Sequence, residues 1–115
     1  MRNGEDANSK EVLRNIKGEI LKSLERLGII VKKIILFGSR ARGDFSKSSD
    51  YDLLIVTEKT FTFREKMKIT GEMRKILVKF HIPSDIIIKS VDEIDYFKDK
   101  IGSVVREALK EGISI

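Results

Sequence analysis

The chain has 115 residues, of which 41% are hydrophobic and 36% are charged, with no cysteine and a single histidine. This composition is typical of one globular domain, excludes disulfides and thiolate metal sites, and argues against a histidine-based zinc site. The net charge of +5 permits a polyanionic ligand, whether a nucleoside triphosphate or a nucleic acid, although a lysine-rich solvated surface would give the same charge.

No apolar run approaches the roughly 20 residues that a membrane span requires, and the first ten residues lack the apolar core of a signal peptide. We therefore predict a cytoplasmic protein, without a membrane partner, that forms one domain over residues 1–115. Residues 1–8 are polar, include Gly4 and show no periodicity, which predicts a frayed end. Ser9 is a candidate N-cap for the helix that follows.

The first half of the chain predicts a helix followed by two strands. Between Ser9 and Gly28 the apolar residues recur at spacings of three and four, which is typical of an amphipathic helix. They are Leu13, Ile16, Ile20, Leu24 and Leu27. Two short runs rich in branched residues, Val31–Phe37 and Tyr51–Thr57, predict buried strands. A helical turn is expected to begin at Ser39, where the first strand has ended.

The second half predicts a longer helix over residues 62–80, in which Thr62 and Glu65 form a capping-box pattern. Its predicted apolar stripe is Ile69, Met73, Ile76 and Phe80, supported by Phe63 and Met67. A third strand over residues 84–88, a short helix over residues 91–99 capped by Ser90, and a last helix Val104–Glu111 follow. Because the connection between the first two strands is short, we expect them to be antiparallel. The predicted fold class is therefore α/β, a small mixed sheet with helices packed on it.

The residues with chemical potential lie around the second strand. The string GSRARG begins at Gly38, where a glycine lets the backbone approach a ligand and the amides of the next turn suit phosphate. Asp50 and Asp52 are two residues apart and therefore point to the same face of a strand. Like charges held together repel, and a divalent cation is the commonest reason for keeping them. Asp85 opens the third strand, so the three carboxylates converge if neighbouring strands carry them.

Gly-Ser, ten residues and then Asp-x-Asp, each joined to its own strand, resembles the signature of the DNA polymerase beta-like nucleotidyltransferase superfamily. The fuller string GSRARG…SDYDLLIV is similar to its smallest branch, the minimal nucleotidyltransferases, which form toxin–antitoxin pairs with HEPN-domain proteins. The resemblance extends from Ile34 to Ile113 and implies a polymerase beta-like catalytic core.

This resemblance also implies a reaction. An acceptor hydroxyl attacks the α-phosphorus of a nucleoside triphosphate, ATP in our prediction, with the help of two Mg²⁺ ions, and pyrophosphate leaves. The implied acceptor is a HEPN-type toxin protein, which this chain would silence as its antitoxin. By position, the implied roles are phosphate binding for Gly38 and Ser39, neutralisation of triphosphate charge for Arg40 and Arg42, and metal binding and catalysis for Asp50, Asp52 and Asp85.

Other interpretations remain open at this point. Asp50 has an ordinary explanation as a turn residue, Asp52 as an edge-strand charge and Asp85 as a turn cap, while the arginines suit surface ion pairs. A different function would be a catalytically idle binding module that neutralises its partner by occlusion. A third would be nucleotide transfer to nucleic-acid ends. We do not favour it, because aromatic residues do not interleave with the basic ones and Phe61 and Phe63 are expected in the core.

Overall fold

The computed structural model describes residues 10–115 in full and, of residues 2–9, the backbone alone. Its elements in chain order are α1 Arg2–Arg26, β1 Val31–Phe37, α2 Ser39–Arg42, β2 Tyr51–Thr57, α3 Phe63–Lys79, β3 Ser84–Ser90, α4 Val91–Phe97, α5 Val104–Glu111 and β4 Ile113–Ser114. The predicted fraying of residues 1–8 falls outside the fully described part. Ser9 lies within α1 and is not its N-cap, which corrects that prediction. Among the described residues, no helix is long and apolar enough to cross a membrane.

The four strands form one sheet in the order β3-β2-β1-β4. β1 is antiparallel to both β2 and β4, whereas β2 and β3 are parallel. The parallel pair is joined through α3, as a crossover connection requires, and the antiparallel pair through the short α2 segment. The predicted mixed sheet and the predicted antiparallel arrangement of the first two strands are therefore confirmed.

The larger core lies between the sheet and the helices α1 and α3. The first predicted stripe is confirmed at Ile16, Ile20 and Leu24, but Leu27 follows the end of α1 and is 54% exposed. In α3 the buried stripe is Ile69, Met73 and Leu77. The predicted stripe contained Ile76, which is only partly buried, in place of Leu77. These two residues lie three and four positions after Met73, and helical periodicity allows either of them on the buried face. The remaining predicted members of this stripe are exposed: Phe63, Met67 and Phe80.

A smaller core lies on the opposite face of the sheet, beneath α4 and α5. Its buried residues are Ile35, Phe37, Leu54, Val56 and Ala108. Asp52 is on this face because it lies two residues before Leu54 in the same strand. The small core leaves the strand ends around Asp52 partly open to solvent.

The helix starts follow the local signals in the sequence. Both capping boxes form, Thr62 with Glu65 and Ser90 with Glu93. β3 continues two residues beyond the predicted end at Ile88, because its pairing with β2 extends to Ser90. The helix after it begins at Val91 as predicted but ends at Phe97, two residues before the predicted end at Asp99.

Two glycines in different surroundings give a test of this packing. A Cβ at Gly71, within α3, would meet no atom within 4 Å, whereas a Cβ at Gly112 would overlap the Ala108 carbonyl oxygen and the Ile35 side chain. We expect Gly71→Ala to raise the free energy of unfolding by about 0.5–1 kcal/mol. We expect Gly112→Ala to lower it by about 1–3 kcal/mol through overpacking. Urea unfolding measures both, and equal effects of the two substitutions would contradict the described packing.

Candidate active site

The site lies at one end of the sheet, where the C-terminal end of β1 meets the N-terminal ends of β2 and β3. The register places Phe37 opposite Asp52 on one side and Asp85 opposite Asp52 on the other. Gly38, which follows Phe37, is therefore beside Asp52 as well. The antiparallel pairing of β1 with β2 and the parallel pairing of β2 with β3 bring a glycine turn and two aspartates to one place, although 47 residues separate Gly38 from Asp85.

Gly38 is the tightest point of this arrangement. Its backbone φ is 72°, and a Cβ there would overlap the Oδ2 atom of Asp52. Both the positive φ and the close approach require the absence of a side chain. The turn is thus packed directly against the carboxylate of Asp52. Any larger residue at position 38 would displace either the turn or this carboxylate.

The carboxylates predicted to converge do act on one another. The pKa of Asp52 is raised, first by burial and then by the negative charges of Asp85, Asp50 and Glu111, while Arg42 opposes the shift. Asp50 and Asp85 are exposed at the rim, and Asp85 also pairs with Arg74 at 3.4 Å. The three sequence-predicted aspartates are therefore neighbours, with Asp52 innermost.

The donor set fits a hard divalent cation. It consists of oxygen atoms from carboxylates, which Mg²⁺ prefers. Burial first and the neighbouring carboxylates second raise the pKa of Asp52, so part of the shift comes from negative charge close to it. In the part of the chain that the structure describes, no group of three or more acidic, histidine or cysteine side chains forms a ready-made metal cage. Asp50 and Asp85 are exposed, so binding of one cation by all three aspartates would require their side chains to approach Asp52.

Ser39, the second residue of the motif, begins α2. Its carbonyl oxygen accepts a hydrogen bond from the Gly43 N–H at 2.9 Å, and Gly43 has a left-handed backbone with φ 90°. The turn therefore closes on itself within five residues. The Ser39 side chain is partly exposed, and its hydroxyl makes no hydrogen bond to another described residue.

Arg40 is engaged by the loop that precedes β2. Its guanidinium lies between the rings of Phe45 and Tyr51, 4.4 Å and 4.3 Å from their centroids. Its Nε and Nη2 atoms donate to the Ser49 carbonyl oxygen at 3.2 Å and 3.1 Å, and Nη2 also donates to the Lys47 carbonyl oxygen at 3.3 Å. The structure thus places Arg40 at the site, where it holds the loop over residues 43–50. The predicted contact of Arg40 with phosphate stays a prediction.

Arg42 is oriented by two carboxylates. Its Nε atom donates to Asp44 at 3.2 Å, and its Nη1 atom donates to the two oxygens of Glu111 at 3.1 Å and 3.2 Å. These contacts raise the pKa of Arg42, the hydrogen bond to Asp44 first and that to Glu111 second. Glu111 also accepts the Gly38 N–H at 3.1 Å. Sequence reasoning missed Glu111, because no local pattern links it to a motif 73 residues earlier.

A comparison with protein-family models identifies the family. A model described as a nucleotidyltransferase domain matches residues 17–115. The chain belongs to this family. Two proteins of Methanocaldococcus jannaschii that carry the name of protein adenylyltransferases are similar to this nucleotidyltransferase. One is 39% identical over 83 residues, 71% of this chain and 75% of the relative. The other is 37% identical over 78 residues, 64% of this chain and 75% of the relative.

Solved structures share the fold. A nucleotidyltransferase of Sulfolobus solfataricus has a TM-score of 0.60 at 23% identity, covering 90% of this chain and 76% of that one. A toxin–antitoxin complex with AMP-PNP has a TM-score of 0.56 at 18% identity, covering 84% and 69%. The complex of a tri-AMPylated Shewanella oneidensis HEPN toxin with an MNT antitoxin has a TM-score of 0.53 at 16% identity, and the match covers 88% of this chain and 69% of that one. The predicted polymerase beta-like fold and the predicted nucleotidyltransferase are confirmed.

The electrostatics of Asp52 predict that the site costs stability. A raised pKa means that the folded state disfavours the ionised carboxylate, so the penalty is present above the folded-state pKa of Asp52 and absent below its unfolded-state pKa. We therefore expect Asp52→Asn to melt at a higher temperature than the wild type at pH 7. The difference should shrink as the pH falls and the wild-type carboxylate becomes protonated. Asp99→Asn, a change at an exposed position between α4 and α5, should show no such gain in thermal unfolding.

The packing of Arg40 predicts a role in ordering the loop over residues 43–50. A lysine cannot lie flat between two rings while donating in one plane to backbone carbonyls. We expect Arg40→Lys to increase amide hydrogen exchange in this loop and to lower the free energy of unfolding by about 1 kcal/mol. Arg106→Lys, on the exposed side of α5, is the matched control. Unchanged exchange in the loop of the Arg40→Lys protein would show that the stacking does not order it.

Proposed function

We propose that this nucleotidyltransferase moves AMP from ATP onto a hydroxyl group of a partner protein, in a Mg²⁺-dependent reaction. The observation that carries the proposal is the position of Asp52, between Gly38 at the end of β1 and Asp85 at the start of β3. A turn suited to phosphate and a row of carboxylates suited to a cation therefore face one place. The names of the two M. jannaschii relatives support transfer of AMP to protein.

The residues that would hold Mg²⁺ are Asp50, Asp52 and Asp85. Bound there, Mg²⁺ would stabilise the charge of the triphosphate and of the attacking and leaving oxygens. The fit rests on the chemistry of the donors. The pKa of Asp52 is raised by burial and then by the charges of Asp85 and Asp50, and a cation among these carboxylates would remove the second contribution. We propose two ions, as the resemblance implies.

The chain's own residues then position the reactants. Gly38 and Ser39 bind the β- and γ-phosphates, and Arg42, on the exposed side of the turn, neutralises part of their charge. The acceptor oxygen attacks the α-phosphorus while the bond from that phosphorus to the bridging oxygen of the β-phosphate breaks, and pyrophosphate leaves. The acceptor proton passes to the carboxylate of Asp85, the outer member of the strand pair. Arg40 contributes by fixing the loop that borders the nucleotide, with Nη1 as its remaining donor.

The partner we propose is a HEPN-type toxin, with this chain as its antitoxin. Two observations on structural neighbours support this choice. One neighbour is a toxin–antitoxin complex that contains AMP-PNP, and another is an MNT antitoxin in complex with a tri-AMPylated HEPN toxin. The nucleotide is ATP by the same argument. A cytoplasmic location stays a prediction from the sequence.

The decisive experiment is a transfer assay with ATP labelled at the α-phosphate, in the presence of Mg²⁺ and the candidate HEPN-type protein. We expect the wild type to label the partner, because Asp52 lies beside both Gly38 and Asp85. We expect Asp50→Asn/Asp52→Asn to lose at least about 100-fold in rate, because it removes two cation ligands. The matched control is Asp95→Asn/Asp99→Asn, which removes two exposed carboxylates away from the site and should label normally.

The other outcomes separate the alternatives. Label on RNA rather than on protein would favour nucleotide transfer to nucleic-acid ends. A partner that is bound tightly and neutralised, but never labelled, would favour the binding module. Either result, or undiminished labelling by the Asp50→Asn/Asp52→Asn protein, would overturn the proposed reaction.

A further inference from the structure

One carboxylate at the site has no role in the proposed reaction. Glu111, the last residue of α5, accepts the Gly38 N–H and binds the Arg42 guanidinium through both of its oxygens. We call these two donors, the Gly38 N–H and the Arg42 guanidinium, the anion site. The group bound to the anion site in this structure is thus the protein's own carboxylate, which comes from a part of the chain 73 residues away from Gly38.

The backbone that carries Glu111 is fixed in place. Gly112 packs against the Ile35 side chain and the Leu36 carbonyl oxygen so closely that a Cβ would not fit. Directly after it, Ile113 pairs with Leu36 in the sheet. The end of α5 is therefore locked beside the end of β1, from which the chain passes into Gly38. The Glu111 side chain is 23% exposed, so its carboxylate can be displaced without movement of this backbone.

The charge of Glu111 is unfavourable for the acidic cluster. It is one of the charges that raise the pKa of Asp52, together with Asp85 and Asp50. Arg42 has a second carboxylate partner besides Glu111, because its Nε atom donates to Asp44. A carboxylate that repels its neighbours and binds only the donors of the anion site is best understood as an occupant of that site.

We propose that Glu111 is a built-in competitor for the anion site, and that a polyphosphate binds by displacing its carboxylate from the Gly38 N–H and the Arg42 guanidinium. The identity of that polyphosphate as the triphosphate of a nucleotide rests on the proposed function. One anion replaces another on the same donors, so nucleotide affinity is set below what the donors alone would give. If Glu111 were instead a positioning residue that prepares Arg42 for phosphate, loss of its carboxylate would weaken polyphosphate binding.

The test is the affinity for inorganic tripolyphosphate in Mg²⁺-containing buffer, measured by calorimetry on the whole chain. Glu111→Gln keeps the length of the side chain and one acceptor for the Gly38 N–H, but removes the charge. We expect it to bind tripolyphosphate about tenfold more tightly than the wild type, because the ligand no longer has to displace a charged carboxylate from these donors. Glu107→Gln makes the same change one turn earlier on α5, at an exposed position, and should differ from the wild type by less than about twofold.

A second variant, Glu111→Asp, tests the same proposal if Glu111→Gln does not fold. Glu111→Asp keeps the charge but is one methylene shorter, so it should reach only one of the two donors and give intermediate tightening. If a folded variant binds tripolyphosphate as tightly as the wild type or more weakly, Glu111 is not a competitor and has a positioning role. Absence of binding to every variant would overturn the anion site itself.

The result is separable from that of the proposed function. Tighter tripolyphosphate binding by Glu111→Gln, without AMP transfer by the wild type to any protein, would support the competitor and overturn the proposed reaction. AMP transfer by the wild type, together with unchanged affinity in Glu111→Gln, would overturn the competitor alone.

Discussion

The close approach of Gly38 to Asp52 is the constraint around which the site is built. No side chain fits between them, and the backbone of Gly38 adopts a conformation that other residues avoid. The approach follows from the register of β1 with β2, which sets Phe37 opposite Asp52. Pairing of β2 with β3 then adds Asp85 on the other side. A shift of either register by one residue would separate the glycine from the carboxylates and turn the aspartates toward the other face.

Charge at this point works against folding. Burial and neighbouring carboxylates raise the pKa of Asp52, so the ionised site is less stable than a neutral one would be. The nearby arginines relieve this only in part. Arg40 is engaged by the loop and its two aromatic rings, and Arg42 is shared between Asp44 and Glu111. Such an excess of negative charge is what binding of a divalent cation would relieve.

The two faces of the sheet differ: one carries the larger core, and the other carries the candidate site and a smaller core. Most of the buried apolar surface lies beneath α1 and α3, where Ile16, Leu53 and Met73 are almost fully buried. The opposite face has a smaller core under α4 and α5 and carries the carboxylates at its end. Stability is thus concentrated on the face away from the site. The site can hold residues that are unfavourable for folding because the other face supplies most of the hydrophobic burial.

The sequence by itself determined the positions of the main strands and most of the helix starts. The bounds of β1 and β2 and the capping box of Thr62 with Glu65 were predictable, because each depends on short-range patterns. Family membership was equally readable from Gly38-Ser39 and the two aspartates at their spacing.

Only the tertiary structure decided the rest. Leu77 rather than Ile76 faces the sheet, since helical periodicity allows both and the packing of α3 selects one. Arg40 is directed into its own loop because two aromatic rings close around it, an arrangement that no spacing rule specifies. Glu111 reaches Gly38 because α5 and β4 return the chain to the end of β1. Contacts between residues far apart in the chain depend on the packing of whole elements, and that packing is not written in any local pattern.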